Sequence, residues 1–148
     1  MTALPPVAGC RLPLASDADL ARARRQVRLA ATALGFGLVQ QTKLVTAASE
    51  LARNTLVHGG GGHMEITPLA GDTAPGLRLT FADSGPGIED VERAMTDGYT
   101  TAGGLGLGLG GARRLVQEFR IDTEPGRGTT VTVVSWASDP SPAPPAPC

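Results

Sequence analysis

The sequence predicts an α+β fold, a two-layer sandwich in which helices cover one face of a mixed, mostly antiparallel sheet. Three observations lead to this class. The predicted elements run strand, two helices, two strands, loop, helix, two strands. The later strands come in two pairs, each joined by a short turn, which suits antiparallel hairpins. The helices are grouped, whereas a doubly wound parallel sheet would alternate strand and helix throughout.

The first third of the chain is predicted to form one short strand and two helices. The strand covers residues 7–14 and ends near Pro13. Ser16 is the expected N-cap of the first helix, in which apolar residues at helical spacing continue to Leu34. A glycine-bearing break follows, and the second helix runs from about residue 39 to residue 57.

The rest of the folded chain is predicted to contain two hairpins with a long connection between them. Residues 84–103 of this connection are irregular and rich in glycine, with a possible short helix near 88–95, and a third main helix follows at about 105–118. The predicted strands cover residues 63–69, 76–83, 119–124 and 129–136.

One domain is the expected organisation. The chain has 148 residues, the usual size of a single domain. We assign residues 1–137 to that domain. Residues 138–148 contain five prolines and no apolar periodicity, so we expect a disordered tail there.

Composition excludes several classes of function. The 13 basic and 14 acidic residues give a net charge of −1, which does not favour nucleic-acid or membrane-surface binding. Lys43 is the only lysine and follows no glycine-rich loop, so the GxxxxGK[ST] phosphate loop is absent. No apolar run approaches the length of a membrane span, and no secretory leader is visible. We therefore expect a cytoplasmic protein.

Glu50 and Asn54 form the first candidate pair. They lie four residues apart on the predicted second helix, so both side chains leave the same face. A carboxylate beside an amide oxygen suits Mg²⁺, and the carboxylate could alternatively act as a base. The competing interpretation is a surface pair in which Glu50 bridges Arg53.

Asp83 is the second candidate. It ends the strand LRLTFAD on the same face as the apolar residues of that strand, where a carboxylate needs a hydrogen-bond donor such as an adenine amino group. Gly85 and Gly87 follow and would permit close approach to a flat ligand. The competing interpretation is a turn aspartate that binds the backbone at Ser84 and Gly85.

A glycine-rich run is the third candidate. Residues 103–111, GGLGLGLGG, lead directly into the predicted third helix. Glycines at a helix start expose backbone N–H groups to an anion, and the helix dipole adds to the attraction. On the last strand, Thr129 and Thr130 alternate, so one of them faces inward. It could bind a base or a water, or it could be there for its β-propensity alone.

The order of these motifs resembles the GHKL superfamily of ATPases and kinases. ELARN at 50–54 matches its N box, DSGPG at 83–87 its first glycine box, GLGLGLG at 104–110 its second glycine box and GTT at 128–130 its closing threonine strand. The resemblance covers about residues 10–137. Residues 97–130 look most like the RsbT-type switch kinases, small bacterial serine kinases that regulate sigma-factor pathways.

The resemblance implies the Bergerat (GHKL) fold, ATP and Mg²⁺, and a role for each matching residue. Glu50 would be the catalytic base, Asn54 would hold Mg²⁺ and Asp83 would recognise the adenine amino group. The remaining matches would line the base pocket, hinge a lid over residues 89–103, contact phosphate or support Asp83; they are Gly85, Gly87, Gly104, Gly106, Gly108, Gly110 and Thr130.

The resemblance also implies a function. The first hypothesis is an ATP-dependent serine/threonine protein kinase that phosphorylates a STAS-domain antagonist and then engages a downstream phosphatase or other effector. The second is an anti-sigma factor that binds a sigma subunit. The third is a binding module that uses nucleotide only as a switch, without catalysis. The boxes separate the first two only by degree, whereas the intact Glu50 and Asn54 argue against the third.

Overall fold

The computed structural model describes residues 9–87 and 108–137. Within these ranges the chain forms five strands and three helices. In chain order they are β1 (Cys10–Leu14), α1 (Asp17–Ala33), α2 (Leu38–Val57), β2 (Gly62–Ala70), β3 (Pro75–Asp83), α3 (Gly108–Arg114), β4 (Glu118–Glu124) and β5 (Gly128–Trp136).

The five strands form one sheet in the order β1-β2-β3-β5-β4. All four pairings are antiparallel, so the mixed character expected of the sheet is not found among the described strands. The α+β class with helices on a mostly antiparallel sheet is confirmed. β3 and β5 pair in the middle of the sheet although more than forty residues separate them along the chain.

The core lies between the helices and one face of this sheet. Met64, Phe81 and Val131 occupy directly paired positions on β2, β3 and β5, and all three are buried. Side chains that alternate along a strand share a face, so Leu79 and Val133 continue the same buried layer. The helices contribute small residues to it, which allows close helix–sheet packing; they include Ala23, Ala30, Ala31, Ala47, Ala48, Ala52 and Ala112.

The opposite face of the sheet carries polar and charged residues. Arg11 and Glu65 lie on neighbouring strands with 3.8 Å between Nη1 and Oε2, and Arg120 and Asp122 form an ion pair of 3.0 Å on β4. These pairs are largely exposed, so they contribute little to stability. A sheet with one apolar and one polar face is what the alternation along its strands predicts.

The start of α1 differs in detail from the expectation. Ser16 occupies the N-cap position, with extended backbone angles, but its side chain makes no capping hydrogen bond. Asp19, in the first turn, instead accepts a hydrogen bond of 2.8 Å from the backbone N–H of Ala15. This bond ties the segment before the helix to its first turn, where the helix dipole also favours a carboxylate.

The third helix is shorter than predicted. It was expected to continue to Glu118, but it ends at Arg114. Glu118 begins β4, where it pairs with Val134, and the backbone N–H of Gln117 already donates to the carbonyl of Val134 at 3.1 Å. Pairing with the sheet therefore overrides the helical preference of residues 115–118.

Some sequence-based expectations lie outside the described residues. They include the first residues of the predicted first strand, the short helix near 88–95, the lid at 89–103 and the tail at 138–148. None of the helices in the described part of the chain is long and apolar enough to cross a membrane.

Trp136 closes the end of the sheet that lies away from Asp83. Its indole ring lies against Gly76, and its Nε1 donates to Glu118 Oε2 at 3.2 Å. Its carbonyl accepts a hydrogen bond of 3.1 Å from Gln40 Nε2 on α2. This residue therefore joins the helix layer to the last strand.

Replacing a buried residue of β3 should destabilise the whole domain. Leu79 is fully buried, so Leu79→Ala leaves a cavity and should lower the free energy of unfolding by about 2–5 kcal/mol. Arg78→Ala, at the neighbouring exposed position of the same strand, should change it by less than about 0.5 kcal/mol. Urea unfolding measures both values, and equal effects would contradict the described facing of β3.

Candidate functional site

Asp83 ends β3 with one carboxylate oxygen held by the backbone. Its Oδ1 accepts hydrogen bonds from the N–H of Gly85 at 2.8 Å and of Thr129 at 3.3 Å. The turn contact proposed as the competing interpretation is therefore present. It uses Oδ1, and no described residue donates to Oδ2. The half-buried carboxylate thus keeps one acceptor available to a ligand.

Thr129, rather than Thr130, lies against Asp83. The register pairs Ala82 with Thr130, so Thr130 points to the opposite face of the sheet from Asp83. The Thr129 hydroxyl lies 2.9 Å from that of Thr123 on β4. The alternation of residues along β5 could have identified Thr129, because it lies on the same face of the strand as the buried Val131 and Val133. The expected support of Asp83 by Thr130 is replaced by support from Thr129.

The loop after Asp83 rests on the turn between β4 and β5. The N–H of Gly126 donates to the carbonyl of Pro86 at 2.7 Å. Gly87 has a φ of +77° and lies so close to the Glu124 carbonyl that a side chain would not fit between them. Glycine is therefore required at this position both for the left-handed backbone conformation and for the close approach of the Glu124 carbonyl. These contacts fix the position from which the chain leaves towards residue 88.

Glu50 and Asn54 lie on α2, one turn apart and half-buried, as the sequence predicts. No ion pair joins Glu50 to Arg53 within the described part of the chain, so the surface-pair interpretation is not supported there. The carbonyl of Asn54 accepts the N–H groups of His58 at 2.9 Å and Gly59 at 3.1 Å. This closing turn places Gly59 against the side chain of Asp83.

Gly59 is the point of contact between α2 and Asp83. A Cβ built on Gly59 would come closer than 3 Å to three atoms of the Asp83 side chain, namely Cβ, Cγ and Oδ2. Gly85 in turn packs on the backbone of Gly59, with the same lack of room for a side chain. No sequence motif marks Gly59 as part of the site. Its role depends on a contact between residues that are 24 positions apart.

An open depression lies at this end of the sheet. Its wall is built by the end of β3 and by the β4–β5 hairpin, and it combines acidic, hydroxyl and arginine side chains. Arg127 at its rim approaches Glu124 with 3.5 Å between Nε and Oε2. The lining residues are Asp83, Asp122, Thr123, Glu124, Arg127, Gly128, Thr129 and Thr130.

The glycine run is described only in part. Gly108 begins α3, and Gly110 is buried within it. Gly104 and Gly106 lie outside the described residues. α3 packs against α2, the helix that carries Glu50 and Asn54. The expected phosphate contact of the run remains a prediction.

Comparison with known proteins gives a consistent family. Residues 39–138 match the model of the histidine kinase-, DNA gyrase B- and HSP90-like ATPases. The chain is 42% identical over 118 residues to the serine/threonine-protein kinase RsbT of Bacillus subtilis, covering 80% of this chain and 89% of that protein. It is 28% identical over 118 residues to an anti-sigma F factor of Thermoanaerobacter sp. strain X514, covering 77% and 82% respectively.

A solved structure has the same fold. It contains the RsbU and RsbW domains of a Mycobacterium tuberculosis protein and superposes with a TM-score of 0.63 at 23% sequence identity. The match covers 90% of this chain and 34% of the other, so this chain spans about a third of that protein.

Two glycines of the β4–β5 turn offer a test of the site's packing. Both have positive φ, +83° at Gly126 and +116° at Gly128, but only Gly128 has the Asp83 carbonyl where a Cβ would go. Gly126→Ala should therefore cost about 1–2 kcal/mol of stability from backbone strain alone. Gly128→Ala should cost at least roughly twice as much. Denaturant unfolding of the two variants would refute the close approach if their losses were equal.

Proposed function

We propose that this chain phosphorylates a STAS-domain antagonist protein in the cytoplasm of a bacterium. The chain belongs to the histidine kinase-, DNA gyrase B- and HSP90-like ATPase family and is a serine/threonine-protein kinase. After the transfer it engages a downstream effector of a sigma-factor or stress-signalling switch. The observation that carries the proposal is the relatedness to RsbT over most of both chains.

Asp83 is proposed to select the base. Its free Oδ2 is an acceptor for the exocyclic amino group of adenine, while the two backbone bonds to Oδ1 hold the carboxylate in place. Because hydrogen bonds to charged groups are worth about 1.5–3 kcal/mol, this one contact can separate adenine from a purine without the amino group. Gly85 and Gly87 are proposed to line the base pocket, and the space that their side chains would take is occupied by the backbone of Gly59 and of Glu124.

Asn54 is proposed to hold Mg²⁺. Within residues 9–87 and 108–137 no group of three or more His, Cys, Asp or Glu side chains lies close enough to bind a metal. An ion here would therefore depend on the Asn54 amide oxygen, on water and on phosphate oxygens, which suits a cation that retains much of its hydration. Bound Mg²⁺ would neutralise phosphate charge, and ATP would supply the phosphoryl group.

Glu50 is proposed to act as the base. It lies one helical turn from Asn54, so its carboxylate is positioned beside the metal ligand. It would accept the proton of the serine or threonine hydroxyl at one carboxylate oxygen. Gly104, Gly106, Gly108 and Gly110 are proposed to form the lid hinge and to contact phosphate through backbone N–H groups. Thr130 lines the depression, and a part in nucleotide binding from that position stays a proposal.

An anti-sigma factor is the second candidate function. Its support is the similarity to anti-sigma F factors over more than three quarters of both chains. A pull-down with the purified chain separates the two functions. Capture of a sigma subunit would favour the anti-sigma factor, whereas capture of a STAS-domain protein together with phosphate transfer to it would favour the switch kinase.

Phosphate transfer to a STAS-domain protein tests the main proposal. The purified chain, labelled ATP and Mg²⁺ should yield a labelled STAS partner, and Glu50→Gln should lower kcat about 10²–10⁴-fold because the proton acceptor is lost. Nucleotide affinity should stay within about threefold, since glutamine keeps the shape of the side chain. Lys43→Gln, at an exposed position of the same helix, is the matched control. ATP binding without any transfer in the unmodified protein would exclude a kinase and favour the nucleotide-gated binding module.

Asn54→Ala should change the magnesium requirement. The side-chain oxygen is lost, but the backbone bonds from the Asn54 carbonyl to His58 and Gly59 remain. We expect the Mg²⁺ concentration for half-maximal activity to rise about tenfold, the equivalent of one lost ligand interaction. Titration of activity with MgCl₂ measures this shift, and an unchanged midpoint would remove Asn54 from the metal site.

A further inference from the structure

Gly59 lies against the side chain of Asp83, just beyond the end of α2. Gly59 follows α2 by two residues and is half-buried. A Cβ at this position would lie closer than 3 Å to Cβ, Cγ and Oδ2 of Asp83. Real Cβ atoms do not approach other atoms so closely, so either the carboxylate or the end of α2 would have to move.

This requirement for glycine is steric and not conformational. Gly59 is not among the described glycines with positive φ, so an alanine can adopt its backbone angles. The neighbouring Gly60 has the reverse property, with a φ of +75° and no atom within 4 Å of its would-be Cβ. The absent side chain of Gly59 therefore makes room for the Asp83 side chain, which supplies the three nearest atoms.

The oxygen against Gly59 is the one that the ligand would use. Oδ1 of Asp83 is held by the N–H groups of Gly85 and Thr129, whereas Oδ2 lies beside Gly59. A methyl group at Gly59 would crowd Oδ2 together with Cβ and Cγ of Asp83, and a shift of the carboxylate that relieves this crowding would move Oδ2. Loss of direction at this oxygen would weaken a hydrogen bond from an adenine amino group.

The same glycine is bound to the helix that carries Glu50 and Asn54. Its N–H donates to the Asn54 carbonyl at 3.1 Å, and Gly85 packs on its backbone from the other side. Helix α2 and the loop after β3 thus meet at one backbone position. A displacement of Asp83 relative to Gly59 is also a displacement relative to Asn54.

We propose that Gly59 is a positioning residue for nucleotide selection: it sets Oδ2 of Asp83 for the adenine amino group and keeps the base-binding end of the site in register with α2. This inference rests on the proposed function, because it assumes that Asp83 binds adenine. Gly59 itself touches no reacting atom in this scheme and acts through Asp83.

Nucleotide discrimination tests the proposal. The full chain, Gly59→Ala and the control Gly37→Ala are titrated with ATP and with inosine triphosphate, which has an oxygen in place of the 6-amino group. Gly37 has a φ of −68° and nothing within 4 Å of its would-be Cβ, so Gly37→Ala should behave as the unmodified chain. Gly59→Ala should weaken ATP binding about tenfold, as expected for the loss of one charge-assisted hydrogen bond. Its affinity for inosine triphosphate should change less than about threefold, so the preference for ATP should fall.

A double-mutant cycle tests the contact itself. Asp83→Gly removes the three atoms nearest to the added methyl group, so Gly59→Ala should lower the urea midpoint clearly more in the unmodified chain than in the Asp83→Gly background. If Gly59→Ala alone does not fold, the double variant must fold for the proposal to stand. Equal destabilisation in both backgrounds would overturn the assignment of the contact to Asp83.

The outcomes also separate this inference from the proposed function. If the unmodified chain prefers ATP and Gly59→Ala retains the full preference, the inference is wrong and the proposed base recognition survives. If Gly59→Ala weakens both nucleotides equally, Gly59 has only a general structural role, and the inference is again wrong. If the unmodified chain does not distinguish ATP from inosine triphosphate, both this inference and the proposed recognition of adenine by Asp83 are wrong.

Discussion

The pairing of β3 with β5 is the constraint on which the candidate site depends. Leu79, Phe81 and Asp83 share a face with Val133, Val131 and Thr129 respectively, because the register pairs them directly or continues their alternation. A slip of one residue would turn the apolar side chains to solvent and the polar ones into the core. The burial of four large or branched residues therefore fixes where the carboxylate lies. The N–H of Thr129 can reach Oδ1 of Asp83 only in this register.

Besides carrying the side chains of Glu50 and Asn54, the helix layer meets the end of β3 through the backbone of Gly59. The closing turn of α2 brings Gly59 onto Asp83, and the loop after β3 rests on Gly59 and on the β4–β5 turn. Three segments that are distant in sequence thus meet at glycine backbone, with the Asp83 side chain packed directly on Gly59. Interiors pack too densely for such approaches to tolerate an added methyl group. Gly59, Gly85 and Gly128 therefore lack a side chain because other atoms of the assembled site occupy that space. At Gly126 the space is free, and glycine is needed only for the backbone angles.

Local patterns predicted the elements, and tertiary contacts decided the details. The spacing of Glu50 and Asn54 on one helical face follows from helix geometry, and the structure retains it. The end of α3 could not be read locally, because pairing of Glu118 with Val134 competes with the helix. Thr129 could be predicted from the alternation along β5, but only by choosing it over its neighbour Thr130. No local signal marked Gly59, since its partner is 24 residues away and the contact exists only once α2 packs on the sheet.

Trp136 gives the protein a built-in optical probe that is separate from its ligand site. It is the single tryptophan of the chain, and it joins α2 to β5 at the end of the sheet opposite Asp83. Seven residue steps along extended β3 separate Gly76, under the indole ring, from Asp83, a span of roughly 23 Å. Intrinsic fluorescence therefore reports whether the helix and sheet layers are joined. At that distance from Asp83 the indole should respond little to what occupies the far end, so its fluorescence can follow folding while a separate signal follows ligand occupancy.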